Sequence, residues 1–359
     1  MKILLIDNGQ SFDLQTPYEN PLGGSETSLV LLGKGLAELG HSVVILTSKN
    51  DIKIDQNQNP MVAPNSLLDH FFPDADIIVL NRFLPLSIFQ NKRDKIVFYY
   101  THDAFDQPLV QWMIDPRLVS FFDYVLFVSE WQKQTFIKYF NLKGENLEVL
   151  PNSLDLSLYF GYVGRNEKRL IFPSIPFKGI DVLPDLFRAI CEKVKDDSLE
   201  LHVFSSMSLY GEEREQENRQ YEYSFSRLQR MPGVFLHEPV SMKQLAVEFM
   251  RSSLFIHPCT YHETFGMNVI QAQASGCVPF VVNNGAVGEV VESGKTGFIT
   301  KGRNIWNEKV FQEMVDLVCE FLQNGEDYRY SMRLKCRESI KKYHYLNVAK
   351  KFLSFLEGD

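Results

Sequence analysis

Short, unbroken apolar runs alternate with amphipathic stretches along the chain. Ile3–Ile6, Val43–Leu46, Ile77–Leu80, Ile96–Tyr100 and Tyr124–Val128 are continuous and rich in β-branched or aromatic residues, the pattern of strands buried on both faces of a parallel sheet. Between the first two, Leu29, Leu32, Leu36 and Leu39 recur at helical spacing. Gly23-Gly24 precede that run and Gly40 closes it, so a helix is predicted from about Ser25 to Leu39 and the unit is βαβ. A polar loop is expected from Asn8 to Leu22.

The alternation restarts at Arg169–Phe172 and continues through Leu201–Phe204, Leu254–Pro258 and Val278–Val282. Helices are expected up to about Val194, over Met242–Arg251, from near Gly266 to Gly276, and over Trp306–Leu322, Asp327–Tyr343 and Tyr345–Leu356. Gly211–Arg230 is highly charged and is expected to be mobile. Between the two series, Leu150-Pro151-Asn152-Ser153-Leu154-Asp155 breaks the pattern, and the stretch to Lys168 is irregular. The prediction is an α/β protein of two doubly wound domains, 1–155 and 156–343, followed by a helical tail, 344–359.

Composition narrows the function classes. A chain of 359 residues, 45% hydrophobic and 23% charged, has room for two domains with real cores. A net charge of −8 argues against nucleic acid as a partner. The five cysteines are widely spaced with no C-x-x-C pair, which points to reduced thiols. Met1-Lys2 runs directly into a short apolar strand and an acid, unlike a signal peptide, and no apolar stretch approaches the ~20 residues that span a bilayer. A cytoplasmic protein is expected, with any membrane contact peripheral.

The chemistry concentrates at Glu263-Thr264-Phe265-Gly266-Met267. A carboxylate follows a strand and stands just ahead of a helix whose first N–H groups favour anions. Small Ala272, Ala274 and Gly276 lie on that helix, and the apolar run Val278–Val282 follows. This order resembles the donor-site signature of glycosyltransferase family 4, retaining GT-B enzymes that use nucleotide sugars. The resemblance spans nearly the whole chain and is strongest over 152–298. It implies two Rossmann-like domains facing each other across a cleft, the first on the acceptor side and the second binding the donor, with the tail crossing back to the first. Other features fit the family too. Gly23-Gly24 matches its donor-facing glycine turn, and His102 in Thr101-His102-Asp103 matches a strand-end histidine that approaches the donor sugar. Ser174 and Lys178 lie in Ser174-Ile175-Pro176-Phe177-Lys178-Gly179, a Ser-x-Pro-x-Lys-Gly form whose lysine meets the diphosphate. Val240 lies where backbone contacts the base. Glu263 and Thr264, Phe265, Gly266 and Met267 hold the sugar and phosphate.

Two positions depart from the family. Its second acid, which holds the ribose, is replaced by Gln271, and the arginine five residues before its lysine is replaced by Pro173. A neutral amide in place of a carboxylate costs about 1 kcal/mol in donor binding. Asp74-Ala75-Asp76 has the form of a metal-binding D-x-D, but two acids leading into a buried strand are expected to be loop solvation. The helix opened by Ser129-Glu130-Trp131, with Lys133, Lys138 and Lys143, is expected to be a solvated surface helix.

The resulting expectation is a hexosyltransferase with His102, Glu263 and Lys178 as its catalytic set. Gly23, Gly24, Ser174, Val240, Thr264, Phe265, Gly266, Met267 and Gln271 bind the donor. The resemblance implies a UDP- or GDP-sugar co-substrate, no metal, and a glycan or lipid-linked acceptor. The competing expectation is a weak or inactive relative acting as a binding subunit, motivated by Gln271 and Pro173.

Overall fold

The computed structural model describes residues 1–82, 84, 92, 94–144, 146–161, 163–210 and 212–357. Its contacts divide the chain into two compact units: Met1–Pro17, Leu22–Asp155 and Lys342–Asp359 in unit 1, Tyr18–Pro21 and Leu156–Lys341 in unit 2. Gly211 and the last two residues of the expected tail lie outside the described residues.

Unit 1 carries a seven-stranded, wholly parallel sheet. Its strands are β1 (Lys2–Asp7), β2 (Ser42–Thr47), β3 (Met61–Pro64), β4 (Ile77–Asn81), β5 (Ile96–Thr101), β6 (Tyr124–Phe127) and β7 (Leu147–Val149), in the order β3-β2-β1-β4-β5-β6-β7. The continuous apolar runs are indeed its buried strands: Ile3–Ile6, Ile77–Leu80 and Val97–Tyr100 are each at most 1% exposed. The Gly24–Glu38 helix packs beside the Tyr345–Ser354 helix, and a Cβ on Gly35 would stand 2.8 Å from both Ala349 Cβ and Tyr345 O. Tyr345 Oη donates to Glu38 at 2.9 Å, and Tyr124 Oη to the Phe355 carbonyl at 2.6 Å.

Unit 2 repeats the plan with β8 (Asn166–Phe172), β9 (Glu200–Phe204), β10 (Val234–His237), β11 (Ser252–His257), β12 (Val278–Val281) and β13 (Phe298–Ile299), in the order β10-β9-β8-β11-β12-β13, again all parallel. Helices Leu183–Val194 and Glu308–Gln323 close one face over Leu170, Phe172, Leu201 and Val203. The Met242–Arg251 helix begins with a capping box between Ser241 and Gln244.

The charged stretch before Arg230 carries helical structure. A 3₁₀ segment, Glu212–Tyr221, leads into a helix, Glu222–Gln229, whose Leu228 is fully buried. Ser224 donates to Asp181 at 2.6 Å and Arg227 pairs with Asp185, so charge anchors this segment instead of dissolving it. The expected Asp327–Tyr343 helix is also broken, into Glu326–Ser339 and a 3₁₀ turn, Lys341–Tyr343. The Asn8–Leu22 loop contains one short helix, Thr16–Glu19. Among the described residues no helix is long and apolar enough to cross a membrane.

Candidate active site

In an open α/β sheet, ligands bind beyond the carboxyl ends of the strands where the strand order reverses. In unit 2 that point lies between β8 and β11, and the residues that follow those strands meet there. Ser174 comes two residues after β8, His257 is the last residue of β11, and Glu263 follows six residues later. Lys178 ends the 3₁₀ turn Pro176–Lys178.

Glu263 is 5% exposed and is reached by three donors, all on Oε1. Lys178 Nζ lies at 2.7 Å, His257 Nε2 at 3.0 Å and Cys259 Sγ at 3.7 Å. Burial alone would raise the pKa of this carboxyl. The Lys178 ammonium, and then the His257 hydrogen bond, outweigh it and hold Glu263 ionised, well below the usual carboxylate range. The Cys259 thiol is pushed up by burial and by the Glu263 charge, so it stays protonated.

The neighbours of His257 fix its tautomer. Asn268 Nδ2 donates to Ser174 Oγ at 3.2 Å, so the Ser174 hydroxyl proton is directed at His257 Nδ1, 3.3 Å away, and Nε2–H points at Glu263. The chain Asn268–Ser174–His257–Glu263–Lys178 thus ties the loop after β8 to the loop after β11.

Two glycines permit this approach. A Cβ on Gly179, which has φ +117°, would stand 2.6 Å from the Pro258 carbonyl oxygen. One on Gly285, φ +78°, would overlap the Glu263 backbone, whose carbonyl accepts from Ala286 N–H at 2.7 Å.

The helix after Glu263 runs Met267–Ser275. Gly266, in the left-handed region at φ +99°, is its N-cap, with Gly276 as C-cap, so Glu263 is not the capping residue. Phe265 is buried, Thr264 and Met267 are half-buried, and Gln271 is buried on the helix at 6% exposure. Val240 is half-buried in the turn after β10.

His257, Cys259 and Glu263 also place nitrogen, sulfur and oxygen donors within 4.8 Å of one another. The Lys178 ammonium lies on the shared Glu263 oxygen, where a metal ion would have to compete with it. The two acids of Asp74-Ala75-Asp76 accept from Lys2: its backbone N–H donates to Asp76 Oδ2 at 2.7 Å and its Nζ to Asp74 Oδ2 at 3.3 Å.

The remaining expected residues lie in unit 1, where the strand order reverses between β1 and β4. Gly23 caps the Gly24–Glu38 helix, and the space beside it is filled by Glu26, a buried acid that local pattern did not single out. Around Glu26 stand Asp7, which ends β1 directly opposite Asn81 of β4, and Arg82 and Asp103. Arg82, at φ +60°, grips Asp103 with Nε at 2.9 Å and Nη2 at 3.0 Å. Its Nη1 lies 3.0 Å from Ser25 Oγ and 3.5 Å from Glu26. His102 is half-buried against the Tyr100 ring, and desolvation followed by the Arg82 charge pulls its pKa down to about 3, leaving it neutral. Asp7 is pushed up to about 6 by burial and the Glu26 charge, despite hydrogen bonds from Gly9 and Asn81.

Residues 22–158 match the family described as Glycosyltransferase Family 4, and residues 168–342 match Glycosyl transferases group 1. Among solved structures, sucrose-phosphate synthase from Thermosynechococcus elongatus superimposes with a TM-score of 0.75 at 15% identity, covering 99% of this chain and 98% of that one. HepE from Anabaena, in complex with UDP-glucose, gives 0.74 at 16% identity over 100% of both chains. Curated relatives match over shorter stretches. A D-inositol 3-phosphate glycosyltransferase of Streptomyces avermitilis is 36% identical over 66 residues, 18% of this chain and 14% of that protein. A GDP-Man:Man(3)GlcNAc(2)-PP-Dol alpha-1,2-mannosyltransferase of Dictyostelium discoideum is 28% identical over 119 residues, 33% of this chain and 22% of that protein. The two parallel sheets with these neighbours define the GT-B fold, and the two family matches define a glycosyltransferase. The chain carries a Glycosyltransferase Family 4 domain over residues 22–158 and a Glycosyl transferases group 1 domain over residues 168–342.

Proposed function

We propose that the chain is a retaining hexosyltransferase that takes its sugar from a UDP- or GDP-sugar and delivers it to a glycan or lipid-linked acceptor in polysaccharide or glycoconjugate biosynthesis. The observation that carries this reading is the Lys178–Glu263 pair at the β8/β11 switch point, where Lys178 and His257 hold the buried Glu263 ionised.

The donor diphosphate gains charge as the anomeric bond breaks. Lys178 Nζ and the N–H groups of the first turn from Met267 are the groups suited to receive that charge, each positioned donor being worth ~3 kcal/mol in a dry site. Glu263 accepts sugar hydroxyls, and its fixed negative charge suits a ring that becomes oxocarbenium-like. His257 and Ser174 hold Glu263 in place, and Gln271 reaches the ribose. Retention follows if the leaving phosphate takes the acceptor proton on the same face, a route that asks no base and no metal of the protein. The role we assign to His102, neutral and half-buried, is a hydrogen bond to the donor sugar, and to Gly23 and Gly24 a place in donor binding. The protein works in the cytoplasm, and contact with a membrane, where the acceptor is lipid-linked, is peripheral.

Calorimetry with UDP-, GDP- and ADP-sugars on the parent chain, Glu263→Ala and Lys178→Ala tests the site. Saturable binding to the parent, lost in both variants, is expected, and anomer analysis of the product should show retention. Binding without sugar transfer to any acceptor would indicate a binding subunit, and no binding at all would remove the donor-site assignment.

A further inference from the structure

The amino edge of the unit 2 sheet, at the end of the strands remote from Lys178 and Glu263, gathers positive charge. Arg165 directly precedes β8, Ser252 opens β11 in register with Asn166, and Ser275 ends the helix that follows Glu263. The Glu326–Ser339 helix brings Arg329, Arg333 and Arg337 to the same place, at i, i+4 spacing along one face. Gly276 leaves room for them: a Cβ there would stand 3.1 Å from Arg337 Nε and 3.5 Å from both Arg165 Nη2 and the Arg333 Cβ.

Glu167 is the one carboxylate that pairs with these four guanidiniums among the described residues. It accepts from Arg333 Nη2 and lies 3.5 Å from Arg329 Nε. Arg165 Nη2 and Arg337 Nη2 both donate to the Ser275 carbonyl, at 2.7 and 3.0 Å. Arg329 Nη1 does the same at the end of the Glu308–Gln323 helix, on the Leu322 and Asn324 carbonyls. Each helix end supplies about half a negative charge, so about two positive charges are left uncompensated. Burial, and then the like charges of Arg333 and Arg337, pull Arg165 down to about 10. A second observation points to what is missing. The Nε–H groups of Arg329 and Arg333 are buried and make no hydrogen bond among the described residues, on side chains only 17% and 11% exposed. A buried charged donor without an acceptor is costly, so the missing partner is an acceptor that carries negative charge.

We propose that this edge is a binding site for a phosphate group, carried by inorganic phosphate or a small phosphomonoester, and separate from the donor site at the other end of the same sheet. A phosphate dianion brings the two negative charges that the cluster lacks, and its oxygens accept from the Nε–H groups of Arg329 and Arg333. Guanidinium forks match phosphate oxygens in pairs, which a single ammonium cannot do. With two of the guanidiniums this recessed, the site suits a small ion in preference to a membrane surface or an extended polyanion. The proposal goes beyond the transfer reaction, and none of its residues belongs to the Lys178–Glu263 site.

The test is a calorimetric titration of the full-length chain with inorganic phosphate and, separately, with glycerol 3-phosphate, at neutral pH and an ionic strength held constant with sodium chloride. Saturable binding of at least one probe is expected, and it should persist in Lys178→Ala, which removes the cation of the donor site. In that background Arg337→Gln should weaken binding about tenfold, the effect of losing one charge-assisted contact. Arg333→Gln should weaken it further. Arg337 is exposed, so Arg337→Gln decides the matter should circular dichroism show that Arg333→Gln does not fold. Saturable binding of neither probe would overturn the proposal, as would an affinity unchanged in Arg337→Gln. Binding lost in Lys178→Ala would overturn it too, because the phosphate would then belong to the donor site.

Discussion

At the β8/β11 crevice one ammonium meets one carboxylate, whereas at the β1/β4 crevice one guanidinium meets three. Both lie where a parallel sheet reverses its order, and both use loops made to fit by glycine. The difference is one of charge. The Lys178–Glu263 pair is balanced within itself, and in the proposed function it is Lys178 that meets the diphosphate while Glu263 turns to the sugar. The unit 1 crevice is acidic beyond balance. A single architecture, used twice, thus holds two different balances of charge.

The largest expected effect lies in unit 2. Lys178→Ala should lower kcat by roughly 10²–10³-fold, the range for removing one positioned donor to developing charge. Steady-state kinetics on a variant whose circular dichroism matches the parent would measure it. A fall of less than tenfold would show that the diphosphate is stabilised elsewhere, and the contrast between the crevices would lose its functional half.

Removing the cation of unit 1 should act on stability, and its pH dependence should reveal the surplus acid. Arg82→Gln leaves Asp7, Glu26 and Asp103 facing one another. Breaking a buried pair costs about 3–5 kcal/mol, and the 29% exposure of the Arg82 side chain places the expected loss near the lower end, about 3 kcal/mol at pH 7. Asp7 already titrates near 6 in the folded chain. Without Arg82, whose charge lowers it, the Asp7 carboxyl moves further up, so the folded state binds a proton that the unfolded state has released. Stability then falls as pH rises through that window, and the deficit relative to the parent should shrink as pH is lowered from 7 toward 5. Urea denaturation of both proteins across that range would show it. A deficit independent of pH would mean that Arg82 acts by packing alone.

The two crevices also differ in how far the sequence disclosed them. The strands and helices were legible because they are local. Ile3–Ile6 could only be a buried strand, and the run from Gly266 to Gly276 is bounded by its own left-handed glycines. What escaped was short or distant. β3 and β7 are the edge strands of their sheet, four and three residues long, too brief for an apolar run to stand out. In unit 2, Ser174, Lys178 and Glu263 carried a signature, and His257 could have been found by the strand-end argument that singled out His102. In unit 1, Asp7, Glu26, Arg82 and Asp103 come from four separate segments. Only the sheet order and a positive φ at Arg82 join them, and no local pattern encodes that meeting.

The smallest expected effect returns to the family departure in unit 2. Gln271 is 6% exposed on the Met267–Ser275 helix, in the half of the molecule whose charges balance. Gln271→Glu adds a carboxylate there with no new cation. In the free protein that charge has to be desolvated, so a modest loss of stability is expected. With a nucleotide sugar bound, a ribose diol supplies two donors, and a charge-assisted bond replaces a neutral one. Donor affinity should then rise by about 1 kcal/mol, roughly fivefold. The two shifts have one cause and should appear together, a lower melting temperature without donor and a larger donor-induced rise, measured by calorimetry and thermal denaturation on the same samples. An affinity unchanged by Gln271→Glu would place the ribose away from this helix and leave the amide as a packing residue.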